Sequence, residues 1–572
     1  MNRHPLLRCA ALALLLAMRA ASGASQAPVA GEHGMVVTAQ HLATEIGVDV
    51  LRRGGNAIDA AVAVGYALAV VYPAAGNLGG GGFMTLRLAD GRTTFIDFRE
   101  KAPLAARPAM YLDALGNVIP KASTRGHLAV AVPGSVAGLE LARSRYGTLR
   151  REALLAPAIR LAEHGFVLDA GDLALLARAT EDFRADPATA AIFLREGRAF
   201  RVGERLLQKD LAGTLRRIAR EGSDGFYRGP VARAIAGASA AGGGIITLQD
   251  LAGYAPRELR PVECDYRGYH VVSAPPPSSG GVVVCEILGI LEGYPLGALG
   301  FRDARAVHVQ VEAMRRAFRD RNTELGDPDF VSNPLERLLD KGYAARMRAD
   351  IDPAHAGIPN DAPGVAPREG NNTTHYSIID AAGNAVAVTY TLNDWFGARL
   401  TVPGTGVLLN DEMDDFTVKV GVPNMYQLVQ GEANAIAPGK RPLSSMSPTV
   451  VLKDGAPFLV LGSPGGSRII TAVVHTLLNV IDYGMTIQEA VDAPRFHQQW
   501  QPPATRLEAF ALAPDARRIL EGMGHTFAGP PPRSLVSAIL VGAPRAGGQP
   551  VNGARYYGAQ DPRRDSGLAL GY

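Results

Sequence analysis

Cysteine is scarce in this sequence, with three residues in 572, and neither C-x-x-C nor H-E-x-x-H occurs. These spacings are typical of zinc sites, so their absence means that the sequence implies no metal. We also expect no cofactor. G-x-S-x-G and G-K-[ST] are also missing, which argues against a serine-hydrolase elbow and a phosphate-binding P-loop. The longest apolar run beyond the N-terminus, residues 60–71, predicts a buried helix that ends at Pro73.

The first 24 residues have the three-part layout of a secretory signal peptide. Arg3 and Arg8 precede an apolar run at 9–18, and small residues follow at 20–25. The run is too short to anchor the chain in a membrane, and an arginine directly before the cysteine of this run does not suit a lipidation site. We expect cleavage near Ala24 and an exported protein, periplasmic or secreted, with no membrane anchor in its mature form.

The sequence also lacks a large excess of charge of either sign. Three positive charges lie in the predicted signal peptide, so the formal net charge of +3 falls to about zero in the mature chain. A neutral balance points to neither nucleic acid nor a membrane surface as a partner. The remaining length of about 548 residues predicts two domains or one large compound domain.

Two cysteines, Cys264 and Cys285, remain in the exported chain. An oxidising compartment would permit a disulfide between them. Since Cys264 lies in a predicted strand and Cys285 in a predicted apolar helix, we expect two unreactive thiols in the core instead.

Helical patterns dominate up to about residue 350, and strand patterns dominate from residue 373. The first helix ends at Gly54, and the second begins after Asn56, an N-cap residue with Asp59 at its third position. Between the two parts, residues 352–372 are poor in apolar side chains and contain four prolines, which predicts an exposed, mobile connector. This division predicts an α/β protein with helices and sheets in separate layers.

Two threonines begin a predicted strand in "NNTTHYSIID". The three-residue loop between Asp380 and Asn384 predicts a hairpin, whose register places Thr373 opposite Thr391. Alternation then gives the hairpin one face that packs and one that offers hydroxyls and an amide. The polar set is Thr389, Thr391 and Asn393, and the apolar set is Val386, Val388, Tyr390 and Leu392. By itself this pattern is typical of a surface threonine pair.

The glycine cluster at residues 76–82 lacks the lysine of a phosphate loop. We therefore interpret it as a site of close backbone packing.

Blocks from about residue 30 to the C-terminus resemble the γ-glutamyltranspeptidase (γ-glutamyltransferase) family, in its bacterial, lid-bearing form. In the family's order they are "GNLGGGGFM", "IDFREKAP", "PPPSSGG", "ELGDPDF", "TTHYS", "GNAVAVTYTLN", "LLNDEMDDF", "GKRPLSSMSPT", "GSPGGSRIIT", "DAPRFHQQW" and the final "GY". The resemblance implies an N-terminal-nucleophile hydrolase fold, which is a four-layer α/β/β/α sandwich built from two fragments of a self-cutting precursor.

The resemblance also implies that Thr373 is the nucleophile. A terminal threonine has its own α-amine as a base, with a pKa of roughly 7.7 to 8. Cleavage between Asn372 and Thr373 is therefore expected, giving a large fragment, 25–372, and a small one, 373–572. Since the amine supplies the base, we expect His375 to be structural.

Six residues match the family's contacts to the α-amino acid head of the substrate: Arg99, Ser444 and Ser445 for the carboxylate, Asp415 for the ammonium group, and Asn393 and Glu412 for further contacts. A guanidinium suits a carboxylate better than an ammonium does, because it binds in a bidentate manner. Glu412 occupies a position where members of the family vary between Gln and Glu, so it adds negative charge to the site.

Four further residues match the family's catalytic and gating positions. Thr391 corresponds to the threonine whose hydroxyl touches the nucleophile. Gly465 and Gly466 correspond to the oxyanion-hole donors, where one N–H can contribute roughly 10² to 10³ in rate. Residues 420–431 resemble the lid, with Tyr426 in the gating position.

The activity implied is transfer of a γ-glutamyl group from glutathione or a related compound to water, an amino acid or a peptide. A cephalosporin acylase and a poly-γ-glutamate depolymerase are the alternatives within the fold, and the lid argues against both. An exported binding protein that never matures is the alternative from another class. The segment 393–399 departs from the family pattern at Trp395 and Arg399, and the sequence offers no physical account of that choice.

Overall fold

The computed structural model describes residues 25–357, 372–529 and 532–572. The predicted signal peptide and most of the predicted connector, residues 358–371, lie outside the described residues. Within the described ranges, no helix combines the length and apolar character needed to cross a membrane.

Two antiparallel seven-stranded sheets form the centre of the molecule. Sheet I has the spatial strand order Leu568–Gly571, Met35–Thr38, Thr373–Ile379, Ala385–Thr391, Gly81–Arg87, Thr93–Phe98 and Arg257–Leu259. Sheet II has the order Val29–Gly31, Tyr556–Gln560, Ser537–Val541, Ala456–Gly462, Thr449–Lys453, Tyr269–Ser273 and Val262–Tyr266. Three two-stranded pairs lie outside them: Phe166–Val167 with Arg205–Leu206, Thr401–Val402 with Val407–Leu408, and Phe496–His497 with Arg506–Leu507.

Helices cover the outer face of each sheet. The helices on the sheet I side are His41–Arg52, Ala57–Val71, Ser135–Tyr146, Arg151–His164, Ala170–Leu176, Thr180–Phe183, Pro187–Phe193, Lys209–Glu221, Asp224–Tyr227, Gly229–Ala241 and Leu248–Ala252. Those on the sheet II side are Gly280–Leu291, Leu296–Leu299, Ala304–Glu324, Leu335–Leu338, Lys341–Ala349, Arg468–Ile481, Ile487–Asp492 and Pro514–Gly522. Short 3-10 turns occur at His127–Ala129, Glu412–Asp415 and Glu432–Asn434. This is the predicted four-layer α/β/β/α sandwich.

The second helix is buried on all sides, as its composition predicts. All fifteen residues of Ala57–Val71 are buried, and Asn56 and Asp59 form the predicted capping box, in which each side chain accepts the other's backbone N–H. The helix contacts the strands Thr373–Ile379 and Ala385–Thr391. It therefore supports the hairpin from its outer face.

The expectation of two free core thiols was wrong, because Cys264 and Cys285 form a disulfide. The strand and the helix were both predicted, but they pack directly on each other, and the two Cα atoms lie 5.8 Å apart. That separation lies within the range a disulfide can bridge. The contact joins elements 21 residues apart, which local patterns do not reveal.

Candidate active site

The hairpin has the predicted register. Thr373 is paired with Thr391, and Ile379 with Ala385. The Thr373 Oγ1 lies 3.3 Å from the Thr391 Oγ1, and the Thr391 hydroxyl donates a hydrogen bond to the Asn372 carbonyl oxygen at 2.7 Å. The Thr391 hydroxyl thus links the Thr373 hydroxyl to the carbonyl oxygen of the preceding peptide bond.

Both faces of the hairpin are packed, so the threonine pair is not the surface pair of which its spacing alone is typical. Thr373 and Thr391 are 3% and 2% exposed. Val386, Val388 and Tyr390 pack under the helices as predicted. The opposite face lies against sheet II, since the hairpin contacts the strand Ala456–Gly462. The threonine pair is therefore an interior feature.

His375 has both ring nitrogens occupied by hydroxyl groups. The Nδ1 lies 2.8 Å from the Thr389 Oγ1, and the Nε2 lies 3.0 Å from the Ser377 Oγ. Burial lowers the pKa of His375 to about 3, so the ring is neutral at physiological pH. These contacts agree with the structural role expected from the sequence.

The glycine cluster forms a close backbone contact, as expected. A Cβ atom on Gly80 would lie 1.9 Å from the Thr391 carbonyl oxygen, and one on Gly82 would lie 2.4 Å from the Thr389 carbonyl oxygen. Only glycine allows the strand Gly81–Arg87 and the loop before it to approach the hairpin this closely.

Arg99 is fully buried and lies among three carboxylates. Its guanidinium forms ion pairs with Glu412 and with Asp415, and its Nη1 lies 3.5 Å from a Glu100 carboxylate oxygen. The Arg99 Nε also donates to the Pro442 carbonyl oxygen at 3.1 Å. One guanidinium therefore faces three carboxyl groups, more than its single charge can compensate.

The carboxyl groups around Arg99 have perturbed acidities. Burial raises the pKa of Glu100, Glu412 and Asp415, and the guanidinium of Arg99 opposes that rise in each case. Neighbouring carboxylates add to the increase for Glu100 and Glu412, because a nearby negative charge disfavours ionisation. Perturbed groups of this kind often mark functional sites.

Arg321 is a residue that the sequence analysis missed. Its side chain is 1% exposed and lines a cavity that Arg99 and Thr373 also line. Its Nη2 donates a hydrogen bond to the Ser445 Oγ at 3.1 Å. Its other partners, Ser279, Asn322 and Gln430, are neutral. Within the described part of the chain no carboxylate lies within 4.0 Å of it, and burial lowers its pKa to about 10. One signal was present: Arg321 continues the buried stripe of Val307, Val311, Met314 and Phe318 at helical spacing.

The two serines differ in their surroundings. The Ser444 backbone bonds to the segment "PPPSSGG" through the Pro277 carbonyl oxygen and the Ser279 N–H, both at 2.8 Å. Ser444 Oγ accepts from the Met446 N–H, whereas Ser445 Oγ accepts from Arg321. Both side chains face the cavity.

The segment 420–431 closes one side of this cavity through Tyr426. The Tyr426 hydroxyl bonds to the Asn393 backbone oxygen at 3.0 Å and to its side-chain oxygen at 2.8 Å. The preceding residue, Met425, donates its N–H to Asp414 at 2.9 Å, and the Ser123 hydroxyl donates to the same carboxyl group at 2.7 Å. Asp414 thus ties the segment to the body of the molecule.

Gly465 and Gly466 lie in a tight turn before the helix Arg468–Ile481. Both have positive φ, 134° and 59°, and a Cβ atom on Gly466 would lie 2.3 Å from the Tyr426 ring. Across the described ranges, neither glycine N–H donates to another protein atom. Gly466 lines the cavity with Thr373, so its N–H is available to an oxyanion there.

The cavity joins these elements around Thr373 and contains about 300 Å³ of space between atoms, part of which is open to solvent. Its lining includes a threonine hydroxyl, two guanidiniums, two carboxyl groups and two serine hydroxyls: Thr373, Arg99, Arg321, Glu412, Asp415, Ser444 and Ser445. Such a set can bind a zwitterion and place a carbonyl carbon beside the hydroxyl. No cluster of three or more potential metal ligands occurs among the described residues.

The Asp414 carboxyl group gives a testable pH dependence of stability. Burial raises its pKa from an ordinary value near 3.8 to about 6, so the native state keeps a proton that the unfolded state loses between those values. Relative to Asp414→Asn, the wild-type free energy of unfolding should fall by about 2 kcal/mol as the pH rises from 4 to 6. Urea denaturation of both proteins across this range measures the difference, and parallel curves would contradict the prediction.

Residues 43–571 match the sequence profile of a family described as Gamma-glutamyltranspeptidase. The chain is 66% identical over 564 residues to a "Glutathione hydrolase proenzyme" from Pseudomonas sp. strain A14, and the match covers 98% of each chain. Among solved structures, a cephalosporin acylase from Bacillus halodurans superposes with a TM-score of 0.83 at 28% identity, covering 96% of this chain and 98% of that one. A Helicobacter pylori gamma-glutamyltranspeptidase chain superposes with a TM-score of 0.55 at 44% identity, covering 59% of this chain and 94% of that one.

Proposed function

This chain belongs to the gamma-glutamyltranspeptidase family, and we propose that Thr373 accepts the γ-glutamyl group of glutathione and related compounds as an ester. The observation that carries the proposal is the buried hydroxyl pair of Thr373 and Thr391, in one cavity with the buried cation Arg99. The 66% identical relative is named a glutathione hydrolase, which supports this donor.

We propose that the cavity recognises the free α-amino acid end of the donor. In the structure Arg99 pairs with Asp415. A substrate carboxylate on Arg99 and a substrate ammonium group on Asp415 would replace that pair without leaving either charge unpaired. Ser444, Ser445 and Asn393 supply hydrogen bonds around the same head group. Recognition at one end leaves the γ-carbonyl carbon free to face Thr373.

The proposed reaction has two steps, with the Thr373 α-amine as base. The Thr373 hydroxyl attacks the γ-carbonyl carbon, and its proton passes through the amine to the departing amine of the donor. Gly465 and Gly466 N–H groups would stabilise the intermediate oxyanion. Water, an amino acid or a peptide then attacks the ester, which releases glutamate or a new γ-glutamyl compound and restores the hydroxyl.

We also propose that an exported precursor matures by cutting itself between Asn372 and Thr373. The signal-peptide pattern supports export. The Thr391 hydrogen bond on the Asn372 carbonyl oxygen supports cleavage, because it polarises the carbonyl beside the nucleophile. The product would be a heterodimer of residues 25–372 and 373–572, and the H. pylori chain, which covers 59% of this sequence, is of a length similar to the larger fragment.

Donor choice separates the proposal from the acylase alternative. The fold is shared with a cephalosporin acylase, so fold alone does not identify the donor. We propose that Tyr426 limits the cavity to slender γ-glutamyl donors, since its hydroxyl is fixed on Asn393. A panel of glutathione, γ-glutamyl anilide, poly-γ-glutamate and a glutaryl cephalosporin tests this. Glutathione should give the highest kcat/KM, and a preference for the cephalosporin would overturn the assignment.

Tyr426→Ala is expected to shift this preference toward bulkier donors. Removing the ring and its two hydrogen bonds should lower kcat/KM for glutathione roughly tenfold and raise the relative rate on the cephalosporin. Tyr556→Ala is the matched control, because that hydroxyl also bonds to a backbone oxygen, on Asp380, at the other end of the hairpin. An unchanged donor ratio in Tyr426→Ala would remove the gating role.

A further inference from the structure

The segment 393–399 has an unusual backbone for its composition. Asn393, Phe396 and Arg399 all have positive φ, between 60° and 77°, although none is glycine. Residues in this conformation are strained and persist only where their surroundings fix them. The Phe396 N–H donates to the Ala74 carbonyl oxygen at 2.9 Å, which anchors the segment to the helical layer.

Asp394 connects this segment to the residue before the nucleophile. Its Oδ1 accepts a hydrogen bond from the side-chain amide of Asn372 and another from the Trp395 N–H at 2.9 Å. The Asn372 side chain is fully buried, and its own Oδ1 has no hydrogen-bond partner among the described residues. The bond to Asp394 is therefore the polar contact that fixes the Asn372 side chain.

Two arginines fix Asp394 from its other side. Its Oδ2 accepts from Arg399 at 2.9 Å and from Arg125 at 3.1 Å, while its backbone N–H donates to Asp411 at 2.8 Å. Arg399 is in turn held by Asp182, whose carboxylate lies 3.0 Å from the Arg399 Nε. The carboxylate of Asp394 is thus oriented on both oxygens, as a positioning group requires.

We infer that Asp394 is a positioning residue for cleavage of the bond between Asn372 and Thr373. By holding the Asn372 amide, it keeps the Asn372 carbonyl oxygen on Thr391 and its carbonyl carbon beside the Thr373 hydroxyl. This inference rests on the proposed self-cleavage. It also assigns a role to the segment that departs from the family pattern.

The chemical step leaves Asp394 unchanged. A bond forms between the Thr373 Oγ1 and the Asn372 carbonyl carbon, the bond from that carbon to the Thr373 nitrogen breaks, and the hydroxyl proton ends on the nitrogen. Water then adds to the ester, which gives the Asn372 carboxylate and restores the hydroxyl. Asp394 sets only the geometry of the first attack.

The test is the rate at which full-length precursor becomes two fragments, followed by intact mass. Asp394→Asn should slow conversion roughly 10- to 100-fold, because small displacements of reacting atoms have effects of that size. In the variant, the side-chain amide at position 394 has a single oxygen, which cannot accept hydrogen bonds from Asn372 and from the two arginines at the same time. Asp182→Asn is the matched control: it changes a carboxylate on the same arginine without touching Asn372, and it should convert at the wild-type rate.

A double-mutant cycle with Asn372→Ala separates positioning from general structural damage. If Asp394 acts through the Asn372 amide, the double variant should convert no more slowly than the slower single variant. Additive slowing would overturn the inference. Melting midpoints of the same variants, measured in a Thr373→Ala background that stays intact, report any loss of folding separately. If Asp394→Asn does not fold, Asn372→Ala alone must still slow conversion.

The outcomes also separate this inference from the proposed function. A wild-type precursor that never converts would overturn the proposed self-cleavage. A wild-type precursor that converts alongside an equally fast Asp394→Asn variant would overturn only the role of Asp394.

Discussion

Thr373→Ala is expected to leave the chain in one piece and to abolish turnover of γ-glutamyl donors. In the proposed mechanism the variant lacks the hydroxyl that would attack the Asn372 carbonyl, so no terminal α-amine would be released to act as base. Loss of a covalent nucleophile lowers kcat by roughly 10⁴-fold or more in related chemistry. Intact mass after incubation near neutral pH, together with glutathione hydrolysis, measures both effects.

Two controls sharpen this experiment. Thr373→Ser keeps a hydroxyl and should still be cut. Thr374→Ala removes the neighbouring hydroxyl, which is buried without a hydrogen-bond partner in the described structure, and should be cut normally. If the smaller wild-type fragment began at Thr374, or if Thr373→Ala were cut, the nucleophile would be misassigned.

Arg99→Gln is expected to destabilise the protein and to eliminate productive binding of the donor. It leaves Glu100, Glu412 and Asp415 buried around a neutral amide. Removing one partner of a buried ion pair typically costs about 3 to 5 kcal/mol, because the remaining charge is uncompensated. Urea denaturation in the Thr373→Ala background measures this loss without interference from cleavage.

The double variant Arg99→Gln/Glu412→Gln tests the electrostatic explanation. Removing one of the surplus carboxyl groups should recover part of the lost stability, whereas donor binding should remain weak because the carboxylate-binding cation is still missing. Equal stability of the single and double variants would show that packing, rather than charge, accounts for the loss.

Local patterns were sufficient for the hairpin and for the capped helix. Strand alternation and a three-residue loop determine which residues face each other, so the pairing of Thr373 with Thr391 followed from the sequence. The capping box of Asn56 and Asp59 also depends on neighbours only three positions apart.

Features that depend on distant segments were not predictable in this way. The disulfide and the burial of the polar hairpin face both result from packing between elements far apart in the chain. Asp394 accepts a hydrogen bond from Asn372, 22 positions earlier in the chain, and the periodicity of the sequence does not predict such a contact. Family resemblance assigned roles to Arg99 and Asp415, but it gave no indication of Arg321 or Asp394.

The hydrogen bond from Thr391 to the Asn372 carbonyl oxygen has a consequence for timing. With the bond between Asn372 and Thr373 intact, this carbonyl occupies the Thr391 hydroxyl beside Thr373, so under the proposed self-cleavage the precursor would block its own site. The proposed cleavage would release this carbonyl from the site and expose the Thr373 α-amine, so the same reaction would open the site and create its base. Activation should therefore be first order, with a rate constant that does not depend on protein concentration, because each molecule cuts its own chain.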